Sequence, residues 1–124
     1  MAITITATAN TTDKSITLNQ RNTVVDQEPN AQQIIWQLTG TSATGKWTGF
    51  SWKGTSQPSS SVIAPPSPDG TSNQMTATDN NTSASSQGGP WIYQVTALVD
   101  GVTCSTTSTV GITGGTTDPT IKNN

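Results

Sequence analysis

The chain has 124 residues, a formal net charge of -2, no histidine and only 10% charged residues. This length suits one domain with a single sizeable core. Without histidine, Ser-His and Cys-His catalysis in their usual form are excluded, and the commonest metal ligand is absent. The five basic residues are scattered, which disfavours a nucleic-acid-binding patch. No run approaches the ~18 apolar residues of a membrane-spanning helix, so we expect neither nucleic acid nor membrane as a partner.

The sequence favours β-structure over helix. No segment keeps a 3.6-residue apolar period for three turns, because Gly, Pro, Thr and Ser interrupt every long window. Threonine is abundant, and its β-branched side chain suits a pleated, half-exposed surface. Short alternating runs predict strands around Ile3, Ile5 and Ala7, around Ile16 and Leu18, over 23–25, and around Ile34, Trp36 and Leu38.

The clearest predicted element is a β-hairpin whose first strand alternates from Trp91 to Val99. The Asp-Gly pair at 100–101 follows, and it suits the positive φ angles of a two-residue hairpin turn. The thiol of Cys104 then shares a face with Trp91, which predicts a small buried hydrophobe and not a reactive thiol. Two cross-strand pairs are predicted, Val99 with Val102 and Ala97 with Cys104.

Three segments resemble connections or ends. Residues 56–73 carry four prolines around a short apolar pair and suit an edge strand or a long connection. Residues 79–90 are rich in Asn, Ser and Gly and predict an exposed loop. We therefore expect one domain over 1–113 and a C-terminal tail over 114–124, unless Ile121 docks.

Two resemblances bear on the fold. IIWQL at 34–38, with the later stretch from Trp91, resembles the immunoglobulin-like pattern: Trp36 matches the core Trp, Tyr93 the corner Tyr, and Val95 the usual Cys position. With the predicted strands, this implies an all-β, immunoglobulin-like two-sheet sandwich of about seven to nine antiparallel strands. More distantly, TDPTIKNN at the end of the chain resembles the Asp-Pro-x-Ile-x-Asn ending of the uncharacterised bacterial DP-EP family, which would transfer no activity.

The chemistry-bearing residues favour a protein that is not an enzyme, with no cofactor and no metal. Neither a phosphate-binding loop nor a dinucleotide fingerprint occurs, and Cys104 alone cannot build a zinc site. Asp26 and Glu28 are the closest carboxylate pair for a glycosidase, but they are expected to lie in a solvated loop before Pro29. Residues 79–81, Asp-Asn-Asn, lack the spaced acidic series of a calcium loop.

The strongest candidate for a binding surface is a short segment rich in aromatic residues. Trp47, Phe50 and Trp52 lie within GKWTGFSWKG at 45–54. A tight turn at 48–49 would place all three rings on one face, whereas one continuous strand would turn Trp47 to the opposite face. On a shared face, core packing is the first interpretation, and contact with a carbohydrate or a neighbouring subunit is the second.

From these features we predict a non-enzymatic β-sandwich interaction or assembly module. Its partners would be proteins, through self-assembly or a larger particle, and Trp47, Phe50 and Trp52 are the candidate binding residues. The low charge and the Thr/Ser/Asn/Gly-rich composition would suit a decoration or fibre component of a bacteriophage particle. The alternatives are a carbohydrate-binding module that uses the aromatic stretch and a bacterial protein of unknown function. No signal peptide is recognised, so we expect cytoplasmic synthesis, with incorporation into a virion in the particle interpretation.

Overall fold

The computed structural model describes residues 2–106 and 118–124, and these residues form an all-β structure. Within them, two short 3₁₀ turns at Gly40–Ser42 and Ala84–Ser86 are the helical elements, and no helix is long and apolar enough to cross a membrane. The described strands are β1 (Ala2–Asn10), β2 (Ser15–Leu18), β3 (Asn22–Val25), β4 (Gln32–Leu38), β5 (Lys46–Lys53), β6 (Ile63–Ala64), β7 (Gln74–Asp79), β8 (Gly88–Val99), β9 (Val102–Ser105) and β10 (Thr120–Asn123). Every predicted strand is present.

The strand order corrects one expectation. The ten described strands follow the order β3-β10-β8-β9-β2-β1-β4-β7-β6, and β5 pairs with β8. The pairs β1–β4, β3–β10 and β2–β9 are parallel, so the expected purely antiparallel arrangement of about seven to nine strands is wrong. Parallel neighbours need long connections, and the chain supplies one by forming β2 and β3 between β1 and β4.

The core lies where distant parts of this strand ladder face each other. Trp36 on β4 packs edge-on against Phe50 of β5 and Tyr93 of β8, with ring centroids 5.6 Å apart in both pairs, although β4 pairs with neither strand. We call β3, β10, β8 and β5 the first layer, and β2, β1, β4, β7 and β6 the second layer. This arrangement is compatible with a β-sandwich in general, but its mixed strand directions do not confirm an immunoglobulin-like one.

The predicted hairpin between β8 and β9 is confirmed. Val99 pairs with Val102 and Ala97 with Cys104. The turn residues Asp100 and Gly101 have φ angles of 51° and 76°, as a two-residue turn of this kind requires. The Cys104 side chain is fully buried, in agreement with its expected role as a small core residue.

The C-terminal residues are not a tail where they are described. Ile121 is fully buried, and β10 pairs with both β8 and β3. The sequence predicts a tail unless Ile121 docks onto the domain. Ile121 does dock, since it pairs across the sheet with the buried Trp91. Residues 118–124 belong to the folded unit, while 114–117 lie outside the described residues.

The two predicted connections differ in outcome. The proline-rich segment 56–73 includes β6, a two-residue strand at the edge of the sheet, as expected. The segment 79–90 is not simply an exposed loop, because Asp79, Asn81 and Ser86 are buried. These residues bond to the end of the chain: the Asn123 amide donates to Asp79 Oδ1 at 2.9 Å and to the Ser86 carbonyl at 3.0 Å.

Candidate functional site

The aromatic stretch forms the continuous strand β5, with no turn at 48–49. It pairs antiparallel with β8, and the register shifts between Trp47 and Gly49. This shift is a β-bulge, which inserts one extra residue and reverses the side-chain alternation beyond it. The tight-turn alternative is therefore wrong, but so is the opposite orientation expected of Trp47 in an unbroken strand.

The bulge places the three aromatic side chains on one face of the first layer. Their cross-strand partners on β8 are all buried and face the core, which fixes the face that the rings share. The pairs are Trp47 with Ala97, Phe50 with Val95, and Trp52 with Tyr93. The shared face considered from the sequence is thus present, by a bulge in place of a turn.

Trp47 is a core residue. Its side chain is 1% exposed. The indole Nε1 donates to the Trp36 carbonyl at 3.2 Å and to the Asn73 carbonyl at 3.0 Å. A ligand could not stack on this ring unless the ring left the core, so the surface available to a partner is confined to the other two aromatic residues.

Phe50 and Trp52 are half-buried and form the outer part of an aromatic cluster that also contains Trp36 and Tyr93. Phe50 stacks on Tyr93 with centroids 5.4 Å apart, and Trp52 meets Phe50 edge-on at 5.0 Å. Burial raises the pKa of Tyr93 to about 12 despite the hydrogen bond from Trp36. The cluster is therefore anchored in the core and reaches the surface through Phe50 and Trp52.

The backbone beside these two rings is an open strand edge. On β8, the Tyr93 N–H donates to the Pro119 carbonyl at 3.0 Å, and the Val95 carbonyl accepts from the Thr106 N–H at 3.2 Å. Odd-numbered residues of β8 thus direct their backbone groups away from β5. Because these groups alternate along a strand, the even-numbered residues of β8 bond to β5.

The same alternation assigns the groups of β5. Ser51 and Lys53 pair with even-numbered residues of β8, so their N–H and C=O groups point to β8, and those of Phe50 and Trp52 point away. Trp47 also points away and is satisfied there, since its N–H donates to the Ser72 carbonyl at 2.8 Å. Among the described residues, nothing bonds to the outward groups of Phe50 and Trp52, which we call the β5 edge.

The surroundings of the β5 edge carry positive charge. Lys46 and Lys53 stand at the two ends of β5, which contains no acidic residue. The exposed Asp69 lies beside the Trp47 end, where the neighbouring Gly70 N–H donates to the Trp47 carbonyl, so the positive charge is concentrated at the Lys53 end. Lys53 is exposed and pairs with Ile92, itself 37% exposed, on the outer face of the first layer. An extended partner with acidic side chains would therefore meet favourable charge here.

The other candidate residues do not assemble a site. Asp26 is exposed and accepts a hydrogen bond from Asn124 at 3.4 Å. In the segment considered for calcium, the Asp79 carboxyl is buried against Asn123, and Asn81 donates to the Val25 carbonyl at 2.9 Å. In the described part of the chain, no three His, Cys, Asp or Glu side chains come together to hold a metal ion.

The structure also shows a shallow groove that the sequence analysis did not identify. It has a volume of about 240 Å³ and lies beside Trp47, between the proline-rich segment and β7. Ligand pockets usually enclose ~300–1,000 Å³. The groove is below that range, so the β5 edge is the better candidate for function.

Comparison with protein-family models finds no family that matches this chain, and comparison with curated proteins finds no match. No family match therefore supports the resemblance to the DP-EP family, and function has to be argued from the β5 edge itself.

Proposed function

We propose that this chain is a non-enzymatic interaction module that binds other proteins by accepting an extended segment along the β5 edge. The observation that carries the proposal is the coincidence of two features on Phe50 and Trp52. Their backbone groups have no partner among the described residues, and their rings are half-buried beside those groups. A partner strand would form hydrogen bonds with these backbone groups and cover the two rings.

The energetics of strand addition fit this edge. Backbone hydrogen bonds supply affinity, and side chains that project from alternate positions of the added strand supply specificity. Proteins usually protect exposed edges with lysines, β-bulges, inward-pointing charges, prolines or covering loops. Strand β5 has lysines at its two ends and a bulge between Trp47 and Gly49, but from Phe50 to Trp52 it has no charged residue and no proline, and its inward-facing residues are aromatic. This stretch is therefore the part of the edge that is open to a partner.

The particle interpretation remains part of this proposal. A module that joins other subunits through a sheet edge would suit a decoration or fibre component of a bacteriophage particle. What supports that interpretation is the low-charge, Thr/Ser/Asn/Gly-rich composition.

Strand addition is tested with a synthetic acidic peptide of alternating Val and Glu residues, followed by amide exchange in NMR spectra. Binding should slow exchange at the outward amides of Phe50 and Trp52 and leave the amides of Ser51 and Lys53, already bonded to β8, unchanged. The matched control peptide carries N-methyl groups on the backbone that faces β5. If the Phe50 and Trp52 amides of the monomeric protein exchange as fast with the acidic peptide in excess as with no peptide, the β5 edge does not accept an added strand.

The carbohydrate alternative would use Phe50 and Trp52 as a stacking surface, because Trp47 is buried. Sugar rings bound there should change the tryptophan fluorescence during a titration, and Trp52→Ala should abolish that change while the protein stays folded. Protection of the Phe50 and Trp52 amides by peptide, with no response to sugars, would favour strand addition.

A further inference from the structure

Resting on the proposed function, we infer that the segment accepted by the β5 edge is strand β3 of a second copy of this chain. Strand β3 lies at the opposite end of the same first layer and pairs with β10 on one side. Among the described residues, no strand pairs with its other side. One layer thus ends in two open edges, and joining them would continue the sheet from copy to copy.

The free backbone groups of β3 follow from its hydrogen bonds. The Arg21 carbonyl accepts from the Thr120 N–H at 2.7 Å, and the Val25 carbonyl accepts from the Asn124 N–H at 3.0 Å. Residues 21, 23 and 25 therefore point to β10, and Asn22 and Val24 point outward. The Val24 side chain is 50% exposed, the most exposed of the large apolar side chains described.

The strand directions permit this contact without inverting either copy. Strand β3 is parallel to β10, β10 is antiparallel to β8, and β8 is antiparallel to β5. Strands β3 and β5 of one copy therefore run in the same direction. Two copies in the same orientation would pair β5 with β3 as parallel strands, the arrangement that β3 already makes with β10.

Charge selects the register of this pairing. In this register Phe50 lies opposite Thr23 of the partner subunit, and Trp52 lies opposite the partner's Val25. In a parallel ladder, a residue bonds to the two neighbours of the residue opposite it, so the outward groups of Phe50 and Trp52 bond to the outward-pointing residues of β3. Lys53 then stands beside the partner's Asp26, since both positions alternate onto the outer face. Both side chains are exposed in the single chain, where Asp26 Oδ1 accepts only a long, 3.4 Å hydrogen bond from the Asn124 amide, so Lys53 can approach the Asp26 carboxyl group.

The same charges disfavour β5 pairing with itself. An antiparallel β5–β5 contact would bring Lys46 of one copy towards the partner's Lys53, a like-charge contact with no acidic residue of β5 to offset it. The β5–β3 contact is heterologous, because the two copies use different surfaces. Such contacts form rings where the rotation closes and open filaments where it does not.

The test uses one variant that blocks each edge. Trp52→Lys places an inward charge on the β5 edge, a known form of edge protection, and Ser51→Lys adds the same charge to the outer face as its control. Val24→Pro removes the outward N–H of β3 without removing a bond to β10, and Val24→Thr keeps that N–H as its control. Molar mass is measured by light scattering after size-exclusion chromatography over a range of concentrations.

We expect wild type and both controls to exceed the mass of one chain as concentration rises, and each blocked variant alone to stay monomeric. An equimolar mixture of Trp52→Lys and Val24→Pro should form dimers that do not extend, because each variant retains the edge that the other lacks. Lys53→Asp should weaken assembly, and adding Asp26→Lys to it should restore assembly.

Three outcomes would overturn the inference. Dimers of Val24→Pro alone would show that β5 pairs with itself, which leaves the proposed function standing. Assembly by both blocked variants would place the contact elsewhere. A wild type that is monomeric at every concentration would exclude a second copy as the occupant, and the peptide experiment would then decide separately whether the β5 edge binds any partner.

Discussion

The indole Nε1 of Trp36 donates a hydrogen bond to the Tyr93 hydroxyl at 3.1 Å, and both side chains are fully buried. Trp36 belongs to the second layer and Tyr93 to the first, so this bond joins the two layers at the centre of the aromatic cluster. Tyr93 also stacks on Phe50 and meets Trp52 edge-on. The geometry of the β5 edge therefore depends on a contact made inside the core.

Replacing Tyr93 with Phe should destabilise the protein by about 1–3 kcal/mol, because the buried Trp36 N–H would lose its acceptor. The ring contacts would be preserved, so the loss would report the hydrogen bond. Urea unfolding measures the change. Trp36→Phe and the double variant complete a double-mutant cycle, and strictly additive effects would show that the bond contributes no coupling.

Gly49, the first paired residue after the bulge in β5, gives a second prediction. A Cβ atom at Gly49 would lie 2.5 Å from Oγ1 of Thr96, which is too close for the present backbone. Gly49→Ala should therefore lower the free energy of unfolding by about 1–3 kcal/mol, the usual cost of overpacking. Thr96→Ala removes the obstructing atom, so the double variant should recover much of the loss. A loss unchanged in the double variant would mean that backbone conformation, not this contact, selects glycine.

Local features of the fold could be predicted from the sequence. The Asp-Gly pair at 100–101 favours a two-residue hairpin turn, which fixes the register of the flanking strands. Both predicted cross-strand pairs occur. The burial of Trp36 and Trp91 likewise follows from alternation within single strands. These conclusions need no knowledge of which distant strands meet.

Features that depend on distant strands could not be predicted in this way. The parallel pairing of β1 with β4 and the insertion of β10 between β3 and β8 leave no local signature. The β5 bulge decided the orientation of Trp47, and Thr-Gly at 48–49 fits a turn and a bulge equally well. The β5 edge can be identified only from the hydrogen-bond partners of β8, which the sequence does not give.

Cys104 provides a chemical check of the core. Burial raises the pKa of its thiol, and the nearby Asp13 charge raises it further. The thiolate is the reactive form, so the native protein should react with a disulfide reagent far more slowly than a free thiol at neutral pH. The thiol should react fully in urea. The absorbance of the chromophore that the reagent releases, followed over time, measures the reaction rate of the native and of the unfolded protein. Rapid native reaction would show that the hairpin around Cys104 opens readily.

Asp79 and Asn123 form a second contact between the layers, in which two buried acceptor oxygens lack a donor among the residues that the structure describes. Asp79 Oδ1 accepts from the Asn123 amide, but within the described residues Asp79 Oδ2 and Asn123 Oδ1 are buried and have no hydrogen-bond partner. Burial raises the pKa of Asp79 from 3.8 to about 6. The charged residues on the segments packed around it are Asp26, Glu28 and Lys122, which are exposed or half-exposed.

The raised pKa fixes the sign of a pH effect. The folded state binds the Asp79 proton more tightly than the unfolded state, so this contribution is complete below pH 3.8 and is lost as pH rises to about 6. The loss amounts to about 3 kcal/mol at ~1.4 kcal/mol per pKa unit. In Asp79→Asn the amide can donate towards Asn123, so the variant should lose this slope and be the more stable protein at pH 7. Urea unfolding of both proteins between pH 4 and pH 8 measures the difference, with Asp69→Asn as an exposed control. Parallel stability profiles for wild type and Asp79→Asn would show that the pKa of Asp79 is the same in the folded and unfolded states, and that burial does not raise it.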